Sequence, residues 1–183
     1  MKSLRNLLIV ALTAAACSDD TGLPDATLTN IEQTATLYAL VGTPVETPSA
    51  FALDGSRRVR TDQSVDFDFA YNVEPDGRQV FLPRAALDID PTATVNPGLL
   101  PQTQSFEAIT LAPSNGYITD QPVPIALGDR YVVRGRITCN IGVPRYAKLE
   151  VQAIDDVARS VTFRVLTDDN CGFKGLEPGL PSR

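Results

Sequence analysis

The sequence predicts an all-β fold, a single antiparallel β-sandwich of about eight to ten strands. Proline and glycine are frequent, with 14 and 12 residues in a chain of 183, and they divide the apolar residues into short runs. Residues 65–73 alternate with a two-residue period, and three further strand-like segments follow one another closely between 131 and 167. Short strands separated by turns account for these patterns better than amphipathic helices do.

The chain begins with a stretch that has the layout of a secretory signal, MKSLRNLLIVALTAAAC. Lys2 and Arg5 form a positive region, and the apolar run from Leu7 to Ala16 is too short to span a membrane as a helix. Its end, Ala14-Ala15-Ala16-Cys17, resembles the lipobox of bacterial lipoproteins. In that class the cysteine is diacylated and becomes the mature N-terminus.

This resemblance implies that residues 1–16 are a lipoprotein signal peptide and that Cys17 is lipidated. Ser18 after the cysteine implies outer-membrane sorting, and hence a protein of the cell envelope attached to the membrane through its lipid. Plain secretion is the alternative, but it would leave Cys17 as an odd thiol in an oxidising compartment. The polar segment at 17–33 is expected to be a flexible tether, and residues 34–183 the β-sandwich domain.

Composition restricts the function classes that fit the chain. Without residues 1–16, the chain keeps 167 residues with 14 basic and 22 acidic side chains, a formal charge of −8 that disfavours nucleic acid as a partner. The absence of histidine excludes Ser-His-Asp and Cys-His catalysis and histidine-ligated zinc or haem. Only two lysines remain, Lys148 and Lys174, and there is no tryptophan. These features favour a protein that is not an enzyme.

The first strand signals lie between Thr34 and Arg60. Leu37 to Val41 is a short apolar run, and residues 50–60 contain an Asp54-Gly55 turn typical of a hairpin. Three arginines, Arg57, Arg58 and Arg60, form a basic cluster in this hairpin. An edge strand protected by charge is the favoured interpretation, and an anion site is the alternative.

Residues 65–73 give the clearest strand. Its odd-numbered residues are apolar and predict one buried face, with Asp66 and Asp68 on the outward face. Residues 74–77 then form a turn into a second hairpin strand at 78–82. The chain has three pairs of neighbouring aspartates, namely Asp66 with Asp68, Asp88 with Asp90, and Asp168 with Asp169. None of them has the pattern of a calcium-binding loop, so neither a metal site nor a cofactor is predicted.

The middle of the chain predicts a long loop followed by a strand. Residues 88–104 contain three prolines and are predicted to form a long surface loop. This loop is either a recognition surface or a simple connection between strands. Residues 105–111 alternate and predict a strand. Pro122 and Pro124 indicate an edge strand.

The last three strands, at 131–138, 146–154 and 160–167, have short connections and predict an antiparallel meander. Cys139 ends the first strand and Cys171 follows the third, so the meander brings both to the same end of the sheet. In an oxidising compartment they are expected to form a disulfide, which stabilises the fold by about 3 to 4 kcal/mol. Cys139 also shares the strand parity of Tyr131 and Ile137, which are expected on the core face.

The segments GDRYVVR (128–134), RYAKLEVQAID (145–155) and SVTFRV (160–165) resemble the C-terminal strands of HmuY-like lipoproteins, and DFDFAYN (66–72) is similar to an earlier strand of that group. The resemblance implies an all-β fold and an envelope location. That family binds haem through histidines, and this chain has none, so no ligand residue carries over.

Taken together, these features predict a non-enzymatic binding or assembly module of the cell envelope, with a protein, glycan or small ligand as its partner. A haem-type carrier is one alternative, which would rely on Tyr117, Tyr131, Tyr146 or an apolar pocket. A carboxylate-based glycan hydrolase is another, because 22 acidic residues always supply candidate pairs.

Overall fold

Two five-stranded antiparallel sheets pack face to face in the computed structural model, which describes residues 22–181. The signal segment 1–16 and Cys17 lie outside the described residues. Within the described part, no helix is long and apolar enough to cross a membrane. The predicted all-β sandwich is confirmed, and its ten strands fall within the predicted number.

The first sheet has the order β1-β10-β9-β8-β6 and the second β3-β2-β4-β5-β7, so β1, β6, β3 and β7 are the edges. A short 3-10 helix, Arg84–Leu87, follows β5. In chain order the strands are β1 (Glu32–Tyr38), β2 (Ala50–Ala52), β3 (Arg57–Val59), β4 (Phe69–Val73), β5 (Gln79–Pro83), β6 (Gly98–Gln102), β7 (Val123–Pro124), β8 (Arg130–Ile137), β9 (Pro144–Asp155) and β10 (Ser160–Asp168).

An aromatic cluster fills the space between the sheets. Phe69 and Phe81 of the second sheet have ring centroids 4.9 Å apart, and Phe163 of the first sheet meets Phe51 edge-on at 5.5 Å. All four rings are buried. Each such pair stabilises the fold by about 0.5 to 1.5 kcal/mol beyond the area it buries, which fixes how the sheets face each other.

Irregular segments cover the outer faces of both sheets. Phe106, Ile109 and Leu176 pack on the outside of the first sheet against Val132 and Tyr146. On the outside of the second sheet, a separate cluster gathers around a buried phenylalanine and comprises Phe67, Ala50, Ala52, Val59 and Ala70. Both sheets are therefore buried on two faces over part of their area.

The C-terminal meander and its disulfide are confirmed. β8, β9 and β10 are neighbours in the first sheet, and the Cys139 and Cys171 sulfur atoms lie at bonding distance, 2.10 Å. Ile137 is not on the core face as expected, since its side chain is 41 % exposed. An irregularity in the β8–β9 register between Arg134 and Ile137 shifts the side-chain alternation there.

The expected strand at 65–73 is shorter than its sequence pattern indicates. β4 begins only at Phe69, because the Phe67 N–H bonds the Val65 carbonyl at 3.0 Å and bends the chain before it. Val65 is exposed, Phe67 packs on the outer face of the sheet, and Asp68, expected to face outward, is 2 % exposed.

Two expectations for the middle of the chain were wrong. Residues 105–111 form a turn rather than a strand, in which the Ser105 carbonyl accepts the N–H groups of Ala108 and Ile109 at 3.0 and 3.2 Å. The loop predicted at 88–104 ends early, because β6 occupies Gly98–Gln102 and pairs with β8. The edge position expected near Pro122 and Pro124 is confirmed by β7.

Ordered structure begins before residue 34. Glu32 and Gln33, which the sequence pattern places in the tether, belong to β1. Asn30 exchanges backbone hydrogen bonds with Gly179, and the Asn170 side chain accepts the N–H groups of Thr27 and Leu28. The segment before β1 is thus bound to the C-terminal part of the chain.

Candidate functional site

A cleft opens along one side of the sandwich, between edge strand β1 of the first sheet and edge strand β3 of the second. Its volume is about 660 Å³, and it is lined by residues 33–36 of β1, by Pro48 and by residues 56–58 and Arg60. The basic cluster of the sequence therefore forms one wall. We refer to this feature as the arginine cleft.

The hairpin register explains why an arginine faces the cleft. Phe51 of β2 lies directly opposite Arg58 of β3, so both side chains are on the face that looks toward the first sheet. Phe51 is buried in the core, whereas Arg58 is exposed because β3 is the last strand of its sheet. The prediction that the arginines lie on an edge strand is confirmed.

Within the described residues, two of the three guanidinium groups of this cluster have no carboxylate partner. Arg60 binds Asp62 through two hydrogen bonds of 2.7 and 3.1 Å, which lower the pKa of Asp62. Arg57 donates only to the backbone carbonyl of Asp66, at 3.2 Å. Arg58 makes no hydrogen bond or ion pair within residues 22–181. In a chain of net charge −6, these two guanidinium groups give the cleft a local positive charge.

The opposite wall of the cleft is the outer edge of β1, which forms no ladder with another strand. The Tyr38 N–H points away from β10 and donates to the Pro48 carbonyl at 3.0 Å, whereas the Ala39 N–H bonds the Arg159 carbonyl at 2.8 Å. Because successive residues of a strand direct these groups to opposite edges, Thr34 and Thr36 present their N–H and C=O groups to the cleft.

The segment at 88–97 forms a second, smaller cavity of about 290 Å³ with Arg84, Arg136 and Ile137. Arg136 is already engaged, since its guanidinium bonds Asp66 at 3.0 Å. The Arg134 guanidinium donates to the Asn96 carbonyl at 2.9 Å and so holds the segment to β8. This cavity is the concave feature of the predicted recognition loop. Of its two arginines, Arg136 is paired with carboxylates, whereas Arg84 makes no ion pair within residues 22–181.

Asp68 has a structural role that its sequence pattern did not indicate. Its carboxylate accepts the Leu53 and Arg136 backbone N–H groups, each at 2.7 Å, and so joins the end of β2 to β8 of the other sheet. Burial raises the pKa of Asp68, while these two donors and the Arg136 guanidinium act in the opposite direction. The outward position expected from alternation was wrong.

Lys148 is a second buried charge that sequence reasoning missed. Its ammonium group donates to the backbone carbonyls of Phe106 and Ile109, both at 2.9 Å, and lies 4.6 Å from the Phe106 ring centroid. Burial lowers the pKa of Lys148. It ties the turn at 105–109 to β9. The sequence did contain a signal for this position: Lys148 lies between Tyr146 and Glu150 on one face of β9, and the other face of that strand is apolar.

The three acidic pairs of the sequence have different surroundings in the structure. Asp66 and Asp68 both lie beside the Arg136 guanidinium, at 3.0 and 3.5 Å. Asp168 is buried and accepts hydrogen bonds from Asn170, whereas the Asp169 carboxylate lies 3.8 Å from Arg145. Asp88 and Asp90 lie in the loop with positive φ angles of 58° and 50°. Among residues 22–181, no group of three or more metal-ligating side chains is placed to hold an ion.

The three tyrosines considered for a haem-type site do not share a pocket. Tyr131 lies in the core between the sheets, and its hydroxyl donates to the Pro124 carbonyl at 2.7 Å. Tyr117 and Tyr146 pack on the outer face of the first sheet with ring centroids 6.4 Å apart. The Tyr117 hydroxyl donates to the Pro113 carbonyl at 2.7 Å.

Comparisons with known proteins add no relative. No protein-family model matches the chain, and no curated protein or solved structure matches it either.

Proposed function

We propose that this protein is a lipid-anchored binding module of the cell envelope, without enzymatic activity, that binds an anionic partner in the arginine cleft. The observation that carries the proposal is Arg58, which faces the cleft and makes no hydrogen bond or ion pair within residues 22–181. Arg57 also lines the cleft and has no carboxylate partner among these residues. In a protein with this excess of acidic residues, two guanidinium groups without an ion-pair partner at an open cleft favour a negatively charged ligand.

The envelope location is supported by the lipobox-like segment that ends at Cys17 and by the Cys139–Cys171 pair at disulfide distance. Structural disulfides are typical of oxidising compartments such as the periplasm. Cys17 lies only five residues before Gly22, so whatever the conformation between them, it is at most about 18 Å away.

The position of Leu23 gives this anchor an orientation. Its side chain and that of Val143 lie within about 3 Å of the place where a β-carbon on Gly172 would stand, next to Cys171. The disulfide end of the sandwich therefore faces the membrane in the proposed arrangement, and the arginine cleft is on the side wall.

A binding role is supported by the way the buried charges are used. Asp68 and Lys148 are both held by backbone groups and stabilise the fold, so neither is presented to a substrate. Asp62 and Asp66 line a shallow depression of about 430 Å³, but Arg60 lowers the pKa of Asp62. A glycosidase acid requires a raised pKa, so Asp62 is not suited to that role. Asp66 is paired with Arg136 at 3.0 Å.

A charge-reversal experiment tests the proposal. The mature protein, purified with its lipid in detergent, is titrated with fluorescent poly-L-glutamate and with hexametaphosphate. Wild type is expected to bind at least one probe, and Arg57→Glu with Arg58→Glu to abolish that binding. Arg58→Glu alone should weaken binding, and Arg78→Glu, which changes the net charge by the same two units, is its matched control, because Arg78 is exposed in the β4–β5 turn and pairs with Asp76. Equal binding by all variants, or no binding by wild type, would contradict the proposal.

A further inference from the structure

Strand β1 is the long open edge of this sandwich. It has seven residues, EQTATLY, without lysine, proline or a bulge, the devices that usually protect an edge strand. Thr34 and Thr36 direct their free N–H and C=O groups into the arginine cleft. An edge of this kind is a template for one more strand.

The other three edges differ from β1. β6 is bridged on its outer side, because Leu99 and Ile118 exchange backbone hydrogen bonds of 3.1 and 2.9 Å. β7 has two residues, one of which is Pro124, and β3 has three, two of which are arginines. In the part of the chain that the structure describes, β1 alone combines length with free hydrogen-bonding groups.

We propose that the partner in the arginine cleft is an acidic polypeptide segment in extended conformation, which adds to β1 as a further strand of the first sheet. This inference rests on the proposed function and names the partner class for the same cleft. The added strand would lie about 4.8 Å from β1, with side chains on alternate faces. Those on the cleft side would meet Arg58, which favours acidic residues at every second position.

Charge argues against a second copy of this chain as the occupant. Pairing β1 with β1 would bring the arginines of two β3 strands toward one cleft. The one carboxylate that β1 would add, Glu32, lies 3.7 Å from Arg164 of its own sheet. A free phosphate or an acidic glycan would satisfy the arginines. Neither has the regular N–H and C=O pattern that Thr34 and Thr36 match.

Two peptides of equal charge separate strand addition from simple anion binding. The first probe alternates glutamate with valine over seven residues, and the second replaces each valine by proline, which removes backbone donors and cannot pair within a sheet. The mature protein is expected to bind the first about tenfold or more tightly than the second. Arg57→Glu with Arg58→Glu should lose this binding, and Arg78→Glu should retain it.

Amide hydrogen exchange distinguishes strand addition from simple anion binding, because binding through charge alone leaves the exchange rates of the β1 amides unchanged. In the free protein, the Thr34 and Thr36 amides should exchange fast, and those of Ala35 and Leu37 slowly, since the latter pair with β10. The Glu-Val peptide should protect Thr34 and Thr36. The Glu-Pro peptide should leave them unprotected.

The outcomes distinguish this inference from the proposed function. Equal affinity for both peptides, or hexametaphosphate binding without peptide binding, would overturn strand addition and leave an anion-binding cleft. Failure of every anionic probe would overturn both. Protection of Thr34 and Thr36 together with a preference for the Glu-Val peptide supports the inference.

Discussion

The carboxylate of Asp68 accepts the backbone N–H of Arg136 at 2.7 Å, joining two residues that are 68 positions apart and belong to different parts of the sandwich. Its second oxygen accepts the Leu53 N–H, also at 2.7 Å. Asp68 thereby links the end of β2 to β8 at the disulfide end of the molecule. The side chain is 2 % exposed, so the contacts are shielded from water.

Removal of the Asp68 carboxylate should destabilise the fold markedly. Asp68→Ala leaves the Leu53 and Arg136 backbone N–H groups without their acceptor and removes one of the two carboxylates beside the Arg136 guanidinium. We expect a loss of about 2 to 4 kcal/mol in the free energy of unfolding. Urea denaturation measures it. Asp66→Ala is the control, because Asp66 pairs with the same arginine from an exposed position. Equal effects of the two variants would contradict the role given to Asp68.

Lys148 should hold the covering segment at 105–109 to the first sheet. Lys148→Met keeps the length of the side chain but leaves the Phe106 and Ile109 carbonyls without a donor, so we expect the fold to lose about 1 to 3 kcal/mol. Limited proteolysis should cleave the variant faster near residues 103–112. The control is Lys174→Met, which should behave like wild type, because the Lys174 ammonium group bonds the Ser114 hydroxyl at an exposed site. An unchanged proteolysis pattern in Lys148→Met would argue against the anchor.

Alkaline pH should destabilise the protein through its tyrosines. Burial raises the pKa of Tyr71 to about 12 and also raises the pKa values of Tyr117, Tyr131 and Tyr146. Above pH 10, the unfolded chain therefore releases protons that the folded chain retains, and stability falls as pH rises through this range. Lys148, with its lowered pKa, acts in the opposite direction, but it is one group against four.

Tyrosinate absorbance at 295 nm checks this sign directly. At pH 11 the folded protein should show much less tyrosinate than the same protein in guanidinium chloride. The free energy of unfolding should fall between pH 9 and pH 11.5. Identical titration curves for folded and unfolded protein would show that these side chains are not buried as described.

Haemin should not bind to a tyrosine site in this protein. The Tyr117 and Tyr131 hydroxyls are engaged with backbone carbonyls, and Tyr131 is separated from the other two by the first sheet. Absorbance titration with haemin should therefore leave the Soret band at its free position. A saturable shift that Tyr131→Phe or Tyr117→Phe abolishes would restore the haem-type carrier as a function.

Local patterns were sufficient for the C-terminal half of the first sheet. Its three strands are consecutive in the chain and joined by short connections, so their neighbours, and with them the Cys139–Cys171 pair, follow from sequence order alone. The turn between β4 and β5 was equally local, since the Glu74 N–H bonds the Arg78 carbonyl at 2.9 Å. The same holds for the hairpin that carries the arginines.

The arginine cleft could not be derived in this way. Its walls are edge strands of two different sheets, and β1 takes its place only by pairing with β10, more than a hundred residues later. The alternation of apolar and polar residues also gave a wrong prediction where a segment packs on the outside of a sheet instead of forming one of its strands. Phe106 and Ile109 lie in such a segment, and each faces the sheet from a turn.

The location of the protein is the claim on which the rest depends, and intact-mass analysis of the protein produced with its own leader in a Gram-negative host tests it most directly. We predict a mature chain that begins at Cys17, with residues 1–16 removed and a mass increase corresponding to acyl groups on that cysteine. A retained leader, or a mature terminus other than an acylated Cys17, would contradict the account.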